Sequence, residues 1–592
     1  MDIERFKRIQ TPKELRKLSP DLLKYFSDEL RKEIIKTLST GEGHLGSSLG
    51  AVELSVALHY CFDTPFDVLI WDVGHQAYVH KMLTGRRSSF KSLRKKNGIS
   101  GFPKREESEY DTFGTGHAGT AISAVLGMAI SAKLQNKKRH HIAIVGDASI
   151  VNGMSFEALN HLGTTKANVL IILNDNSMGI DPSVGALKNY LTDIKKENSK
   201  VPDFFQSLNI KYEGPIDGHN LESLISSFQR QKKKSGPRIL HVVTTKGKGL
   251  LSAEKEKVIY HAPGKFDPVT GKLNPSPENK KIKFQNILGE TLLNLAKKNK
   301  KIIAITPAMP TGSGLVNMMN KLPNQCIDVG IAEQHAVTLS AGMATQGMIP
   351  FCVIYSTFLQ RAYDQIIHDV ALQKLPVIFC IDRAGIVGHD GPTHHGVFDI
   401  AYLRGIPNIQ IVAPRNAKIL QNLIYTVQLG IKSPLAIRYP RGFSELNEIS
   451  FDFKKIKWGQ GKQLKEGDTI AILTIGTLAE KIDLAMLKVE NSKAFAHFDL
   501  CFIKPLDELL LHKIFKTYKA VIIFEEGIKK GGVGSAVLEF AAQHAYSIPI
   551  NTEGIDDRFV SHGKTFDLLN EIGLDVETIS NKLNLLLNKL SG

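Results

Sequence analysis

Residues 141–149 read HIAIVGDAS, and this stretch decides the fold class. His141–Val145 is short and apolar, which predicts a buried strand that ends at Gly146. Polar residues follow at once, and a helical pattern begins near Gly153. A strand, a glycine-containing turn and a helix form the repeating unit of a parallel α/β sheet. Ligands of such sheets bind beyond the carboxyl ends of the strands, where Asp147 is expected to lie.

Further short apolar stretches along the chain have the same character and alternate with amphipathic helical patterns. Most of them are rich in β-branched residues and bounded by Gly, Pro, Asp or Asn. They are Val169–Leu173, Ile239–Val243, Ile302–Ile305, Val377–Ile381, Ile409–Val412, Thr469–Leu473 and Ala520–Phe524. The alternation predicts an α/β protein with mainly parallel sheets.

Two stretches poor in periodic apolar residues, Glu254–Lys283 and Ser444–Lys462, resemble linkers. A chain of 592 residues exceeds what one hydrophobic core usually serves. We therefore predict three α/β domains, at 1–270, 280–445 and 460–592. In the last of them, the glycine-rich run 531–535 predicts a tight turn and a helix start rather than a phosphate site.

The composition excludes several classes of protein. The formal net charge is +16, but the Lys residues are scattered and lack interleaved aromatic residues, which argues against nucleic-acid binding. The five cysteines form no CxxC or CxxH pair, so reduced thiols are expected rather than zinc or disulfides. No secretory signal and no membrane-length apolar stretch is apparent, and we expect a cytoplasmic protein without a membrane partner.

Asp147 and Asn176 form the strongest local pattern. They lie 29 residues apart, one strand–helix–strand step, so both should emerge at the same edge of a parallel sheet. A carboxylate and an amide oxygen suit a hard cation that also takes diphosphate oxygens, and amides after Gly146 could hold the phosphates. Taken singly, each residue is more typical of a helix cap or a turn than of a metal ligand.

Longer motifs sharpen this interpretation. Together with the GDG-like motif at Gly146, they resemble the 1-deoxy-D-xylulose-5-phosphate synthase family from about residue 20 to the C-terminus. The segments that carry the resemblance are Gly43–Gly50, Trp71–Tyr78, Gly114–His117, Asp328–His335, Tyr355–Gln365, Asp382–Gly385 and Arg438–Gly442. The resemblance implies a transketolase-like fold that binds thiamine diphosphate and Mg²⁺.

The resemblance also implies which residues act on the cofactor. Glu333 matches the family's glutamate, which hydrogen-bonds the aminopyrimidine ring and so promotes proton loss from the thiazolium carbon. By itself, a glutamate at a helix start is also favoured by the helix dipole. The implied metal ligands are Asp147, Asn176 and Met178. The implied cofactor-binding residues are His75, Gly116, His117, Ala118, Asp147, Ala148, Ser149, Asn176, Glu333 and Phe358.

The implied substrates are pyruvate and glyceraldehyde 3-phosphate, which yield carbon dioxide and 1-deoxy-D-xylulose 5-phosphate. His44 would assist proton transfer at the reacting carbon. Arg383 and Arg441 would bind the acceptor's phosphate, since a guanidinium donates two hydrogen bonds to phosphate oxygens. The acceptor's hydroxyls would contact Tyr355, Asp390 and His394, the last also a catalytic candidate. The family further implies a homodimer.

The chain departs from the family's motifs at a few positions. Ala148 stands where the second glycine of the metal motif is expected, Ala118 where serine is common, and Leu250 where tyrosine is frequent. The family's long segment after the asparagine motif is also shorter here, from about Asp181 to Pro202. Two alternatives therefore remain: another thiamine enzyme, either a transketolase or a 2-oxoacid dehydrogenase component, and a non-catalytic scaffold with the same fold.

Overall fold

The computed structural model describes residues 6–196, 203–275 and 281–591. The chain divides into two compact units, Met1–Glu278 with Gly330–Ala332, and Asn279–Val329 with Glu333–Gly592. Part of the predicted linker Glu254–Lys283 and the end of the shortened segment lie outside the described residues. The division into three domains stays a prediction. Among the described residues, no helix is both long enough and apolar enough to cross a membrane.

The first unit contains, in its described part, a five-stranded parallel sheet with strand order β1-β2-β3-β5-β4. Its strands are β1 (Val68–Trp71), β2 (His141–Gly146), β3 (Val169–Asp175), β4 (Lys211–Asp217) and β5 (Arg238–Val243). Its α-helices span Pro12–Leu15, Pro20–Leu38, Leu45–Gly50, Val52–Cys61, Tyr78–Lys81, Ala121–Leu134, Gly153–Gly163, Ala186–Ile194, Phe204–Ser207, Leu221–Lys232 and Leu251–Lys255.

The second unit contains two sheets in its described part. The first has strand order β15-β10-β11-β9-β8-β6-β7 and the second β12-β14-β13-β16-β17. The strands of the first are β6 (Ile302–Thr306), β7 (Cys326–Asp328), β8 (Ile349–Tyr355), β9 (Ile378–Asp382), β10 (Gln410–Val412), β11 (Leu435–Arg438) and, from later in the chain, β15 (Phe502–Lys504). The strands of the second are β12 (Lys462–Lys465), β13 (Ile470–Thr474), β14 (Phe495–Asp499), β16 (Ala520–Ile528) and β17 (Ile550–Ile555).

Helices cover the sheets of the second unit. They span Phe284–Lys298, Val316–Lys321, Glu333–Thr345, Ser356–Leu359, Tyr363–Gln365, Asp399–Arg404, Ala417–Gln428, Leu478–Met486, Glu508–Thr517, Val533–Gln543, Thr565–Glu571 and Val576–Ser591. Only β12 and β15 pair antiparallel among the described strands of these two sheets. β15 pairs with β10, so the C-terminal part of the chain supplies an edge strand to the preceding sheet.

The apolar strands predicted from the sequence are all present, with bounds shifted by a few residues. Their side chains alternate between two cores, as period-2 geometry requires. Along β2, Ile142 and Ile144 face one core, whereas Ala143 and Val145 face the other. Both faces are apolar because helices cover both, which is typical of parallel sheets. The prediction of an α/β protein with mainly parallel sheets is confirmed. All five cysteines are free thiols, as predicted.

The glycine-rich run 531–535 forms a turn and a helix start, as predicted. The helix Val533–Gln543 begins against a side chain of the protein itself, because the carboxylate of Glu525 accepts hydrogen bonds from the amides of Val533 (2.8 Å) and Gly534 (2.9 Å). Burial raises the pKa of Glu525 to about 7. A Cβ on Gly532 would lie 2.2 Å from this carboxylate, which explains the glycine.

We expect Glu525→Ala to lower the free energy of unfolding of the second unit by about 1–3 kcal/mol, because two buried amides would lose their acceptor. Urea unfolding followed by circular dichroism measures the change. The control is Glu539→Ala, whose side chain is 67% exposed. An equal midpoint for both variants would contradict a stabilising role of Glu525.

Candidate active site

In the first unit, the candidate metal ligands meet where β2 and β3 end. β2 and β3 pair in parallel, with Gly146 opposite Asn174. The amide of Asn176 donates to Asp147 Oδ1 (3.3 Å), and the amide of Met178 donates to Asn176 Oδ1 (3.1 Å). The three residues therefore form one compact edge of the first unit, with Asp147 itself 5% exposed.

The charge of Asp147 is poorly compensated by the protein. Burial and the nearby carboxylate of Asp175 raise the pKa of Asp147 to about 7. Ser183 donates its hydroxyl to Asp147 Oδ2 (2.9 Å), and the buried ammonium of Lys246 donates to the carbonyl of Gly179 (2.6 Å). Burial lowers the pKa of Lys246 to about 8. A divalent cation fits beside Asp147 because it would stabilise the ionised carboxylate.

The described residues contain no group of three or more His, Cys, Asp or Glu side chains that could hold a metal ion. A magnesium site here would therefore consist of one carboxylate, the amide of Asn176 and a main-chain carbonyl. Oxygen ligands of this kind suit Mg²⁺, which commonly completes its shell with substrate phosphates and water. The donor set fits a metal that is bound together with a diphosphate.

Two departures from the family's motifs, Ala148 and Leu250, have unstrained or buried positions in the first unit. Ala148 does not have a positive φ, so an alanine is unstrained there. Its methyl group lies close to Gly179, where an added Cβ would be 3.3 Å from it. Leu250 is buried in an apolar cluster of the first unit, and Ser149 is also buried.

Contacts indicate the tautomer of His44 and the charge of His75, two histidines of the first unit. The guanidinium of Arg94 lies 2.8 Å from His44 Nδ1, and because Arg can only donate, a neutral His44 carries its proton on Nε2. The His44 and His75 rings are 5.6 Å apart. Burial, with Lys246 and Arg94 adding to it, lowers the pKa of His75 to about 3, so this ring is neutral. His75 Nδ1 is buried and lacks a hydrogen-bond partner among the described residues.

The turn that carries Gly116, His117 and Ala118 is held by a buried carboxylate. Asp72 accepts hydrogen bonds from the amides of Gly119 (2.9 Å) and Ala121 (3.0 Å) at the start of the helix Ala121–Leu134. Gly116 and Ala118 are buried and His117 is half-buried. This arrangement leaves the main chain of the turn in a fixed position in the first unit.

In the second unit, Glu333 is the first residue of the helix Glu333–Thr345 and is 3% exposed. Its Oε1 lies 3.6 Å from the Nη1 of Arg361, while its Oε2 is buried and lacks a hydrogen-bond partner in the described chain. Burial raises the pKa of the carboxyl, and the positive charge of Arg361 opposes this rise. The unpaired Oε2 could form a hydrogen bond with a ring nitrogen of a ligand.

The acceptor-binding candidates form one cluster in the second unit. The Phe358 ring stacks on Tyr355 (centroids 5.4 Å apart) and meets His394 edge-on (5.7 Å). The guanidinium of Arg383 lies over the ring of Tyr355, 4.0 Å from its centroid. These four side chains are therefore in contact through Tyr355 and Phe358.

Two loops complete this cluster. Arg441 donates to the carbonyl of Val387 (2.9 Å) and lies 3.7 Å from Asp390 Oδ2. Asp382 ends β9, and burial raises the pKa of its carboxyl to about 7. The amide of Arg383 donates to Asp382 Oδ1 (2.6 Å), which fixes Arg383 in its positive-φ conformation. Two guanidinium groups and a carboxylate thus lie close together, an arrangement suited to a phosphorylated polar ligand.

Sequence analysis did not identify Arg361, Arg94 or Lys246. Arg361 lies in the short helical turn Gln360–Ala362, three residues after Phe358, and this proximity was an available signal. Arg94 lies far from His44 in the sequence, and no local pattern marks it. Lys246 belongs to a Gly- and Lys-containing run whose role the sequence left open.

Family models match most of the chain, in separate segments. Residues 6–202 and 194–244 match the model described as 1-deoxy-D-xylulose-5-phosphate synthase. Residues 280–445 match the pyrimidine binding domain of transketolase, and residues 459–579 match its C-terminal domain.

Similar proteins match over nearly their full length. A 1-deoxy-D-xylulose-5-phosphate synthase from Cytophaga hutchinsonii is 49% identical, covering 98% of this chain and 97% of the relative. One from Bacteroides fragilis is 48% identical, covering 96% and 95%. Among solved structures, a transketolase from Campylobacter jejuni is 19% identical with a TM-score of 0.44, covering 96% of this chain and 100% of that chain.

We predict that Asp147→Asn weakens Mg²⁺ binding by more than the roughly 10- to 100-fold typical for loss of a residue that only supports a metal ligand. The reason is that the site would lose its only direct anionic ligand from the predicted set. Isothermal titration with Mg²⁺ at saturating diphosphate cofactor measures the affinity. Ser183→Ala is the control, because it removes a neighbour of Asp147 and keeps the carboxylate. Equal losses in both variants would contradict the metal assignment.

Proposed function

The chain belongs to the 1-deoxy-D-xylulose-5-phosphate synthase family, and on that premise we propose how its own residues divide the work of the reaction. The protein is a transketolase-type transferase that joins pyruvate and glyceraldehyde 3-phosphate, with loss of carbon dioxide, and it depends on thiamine diphosphate and Mg²⁺. When bound, thiamine diphosphate supplies a carbon centre that adds to a ketone and stabilises the charge left by decarboxylation.

The central residue of the proposal is Glu333. Its carboxyl is buried, one of its oxygens is unpaired, and its pKa is raised, which are the properties of a group that exchanges a proton with a heterocycle. Glu333 Oε2 would hydrogen-bond a ring nitrogen of the aminopyrimidine and pass a proton to it. The proposed roles rest on this one observation, a buried carboxyl with one unpaired oxygen.

Residues of the first unit would bind the metal and the diphosphate. Asp147, Asn176 and the main-chain carbonyl of Met178 would bind Mg²⁺. The amides of Ala148 and Ser149 and the turn Gly116–Ala118 would contact the diphosphate and its linker. The ring of His75 is neutral, and with its proton on the unpartnered Nδ1 it would donate a hydrogen bond to a diphosphate oxygen.

His44 would act as a proton donor at the oxygen where negative charge develops. The basis is its tautomer, since Arg94 engages Nδ1 and leaves the proton on Nε2. His394 would assist on the acceptor side, because it lies against Phe358 within the acceptor-binding cluster. Both roles are proton transfers by a positioned side chain, which typically contribute about 10²–10⁴-fold to rate.

Arg383 and Arg441 would bind the phosphate of glyceraldehyde 3-phosphate, while Tyr355 and Asp390 would contact its hydroxyls. The support is the close approach of these four residues within the second unit. We also propose that the protein is a cytoplasmic homodimer and binds neither nucleic acid nor a membrane, as the resemblance and the scattered charge suggest. These statements go beyond the family assignment.

We expect Glu333→Gln to reduce pyruvate decarboxylation by roughly 10²–10⁴-fold, because a glutamine cannot exchange the required proton. The amide has the same shape, so the fold should persist by circular dichroism. Glu480→Gln, at an exposed position of the second unit, serves as the control. Near-normal turnover of Glu333→Gln would refute the role given to this carboxyl.

We expect Arg441→Gln to lower kcat/KM for glyceraldehyde 3-phosphate by about 10- to 100-fold, the effect of losing a hydrogen bond between charged groups. The KM for pyruvate should stay unchanged. Unphosphorylated glyceraldehyde provides the internal control, since Arg441 would have no phosphate to bind. An equal loss with both acceptors would argue against phosphate recognition by Arg441. Turnover of a ketose donor in place of pyruvate would instead indicate transketolase activity.

A further inference from the structure

Arg361 lies beside the carboxyl of Glu333, and nothing above assigns it a function. It belongs to the helical turn Gln360–Ala362, directly after the segment that carries Phe358. Its side chain is 11% exposed and that of Glu333 is 4% exposed, so the two charges approach each other away from bulk water. Buried charges of this kind have large effects on each other because screening is weak.

The two oxygens of Glu333 have different surroundings. Oε1 is 3.6 Å from Arg361 Nη1, whereas Oε2 is buried without a hydrogen-bond partner in the described chain. A separation of 3.6 Å is too long for a good hydrogen bond, so the attraction is mainly Coulombic. Arg361 therefore favours the ionised carboxyl without holding it in a tight ion pair.

We propose that Arg361 is a positioning residue for Glu333. It engages Oε1 and so leaves Oε2 to contact the cofactor. It also allows the carboxyl both to give up and to regain its proton. The inference rests on the proposed function of Glu333 and deepens it. With the cofactor bound, Glu333 Oε2–H would donate its proton to a ring nitrogen, and Arg361 would stabilise the carboxylate that remains. The reverse transfer would restore the neutral acid, so no other reactant would be needed.

Two opposing influences set the balance between the neutral and the ionised carboxyl of Glu333. Burial favours the neutral carboxyl of Glu333 and raises its pKa, whereas the charge of Arg361 lowers the pKa. Besides Arg361, the titratable groups on the elements packed against this helix are Cys352, Tyr355, Tyr363, Asp364, His368 and Asp369. The pKa shift of Glu333 arises from burial, Arg361 and the main chain, and none of those six groups is among its causes. Arg361 is thus the group that can set the balance.

The direct test is the protonation of Glu333 in the cofactor-free protein. Infrared titration detects its carboxylic acid band, which is identified by its loss in Glu333→Gln. We expect Arg361→Gln to move the midpoint of this band to higher pH by about one unit, equivalent to a tenfold change. Arg361→Lys keeps the charge and should recover most of the shift. Arg404→Gln, which also breaks an ion pair with a glutamate in the second unit, should leave the band unchanged.

The activity test gives a second readout. Removing the positive charge makes Glu333 a weaker acid. Because only the protonated form of Glu333 can give a proton to the ring nitrogen, the alkaline limb of the kcat profile should move to higher pH in Arg361→Gln. We expect roughly tenfold lower kcat near neutral pH, partial recovery at higher pH, and little change in KM for either substrate. A merely structural role would lower activity at every pH and would not be rescued by Arg361→Lys.

An unchanged infrared midpoint together with an unchanged alkaline limb in Arg361→Gln would overturn the inference. If Arg361→Gln does not fold, Arg361→Met takes its place, since it removes the charge and keeps an apolar stem. An upward shift of the midpoint in that variant supports the inference, and an unshifted midpoint contradicts it. Failure of the proposed function has a different signature, because Glu333→Gln would then stay active whatever Arg361 does.

Discussion

Parallel pairing of neighbouring strands is the constraint on which the placement of the candidate residues depends. The register of β2 and β3 puts Asp147 beside Asn176, although the two are distant in sequence. In the second unit, β8 pairs with β9 so that Tyr355 lies opposite Asp382, and the next residue, Arg383, packs over the Tyr355 ring. Because side chains at strand ends emerge at one edge, each sheet collects polar groups there without disturbing its apolar interior.

Those edges share a second physical property, which is that carboxyl groups are buried without full compensation. Burial raises the pKa of Asp147, Asp382 and Glu333, each by removing water from the charged form. By contrast, Glu525 has a similarly raised pKa but is satisfied by two helix-start amides, and its role is structural. A raised pKa therefore marks burial. A group available to a ligand is distinguished by an unpaired oxygen, which Glu333 and Asp382 have among the described residues and Glu525 lacks.

Much of the fold could be predicted from the sequence because its signals are local. The apolar strands, the turn after Gly146 and the helix start near Val533 each depend on a few consecutive residues. Arg361 and Arg94 could not be predicted in the same way, because their partners Glu333 and His44 come from other segments. Spacing identifies a candidate side chain, but it does not reveal which distant charge approaches it.

The sequence by itself determined the fold class, the positions of the main strands and the family to which the motifs belong. These follow from hydrophobic periodicity and from runs of residues whose order is specific. Only the tertiary structure decided which oxygen of Glu333 is engaged, which nitrogen of His44 carries the proton and how burial shifts each pKa. The physical reason is that Coulombic attraction and desolvation depend on distances through space, and folding sets those distances between residues far apart along the chain.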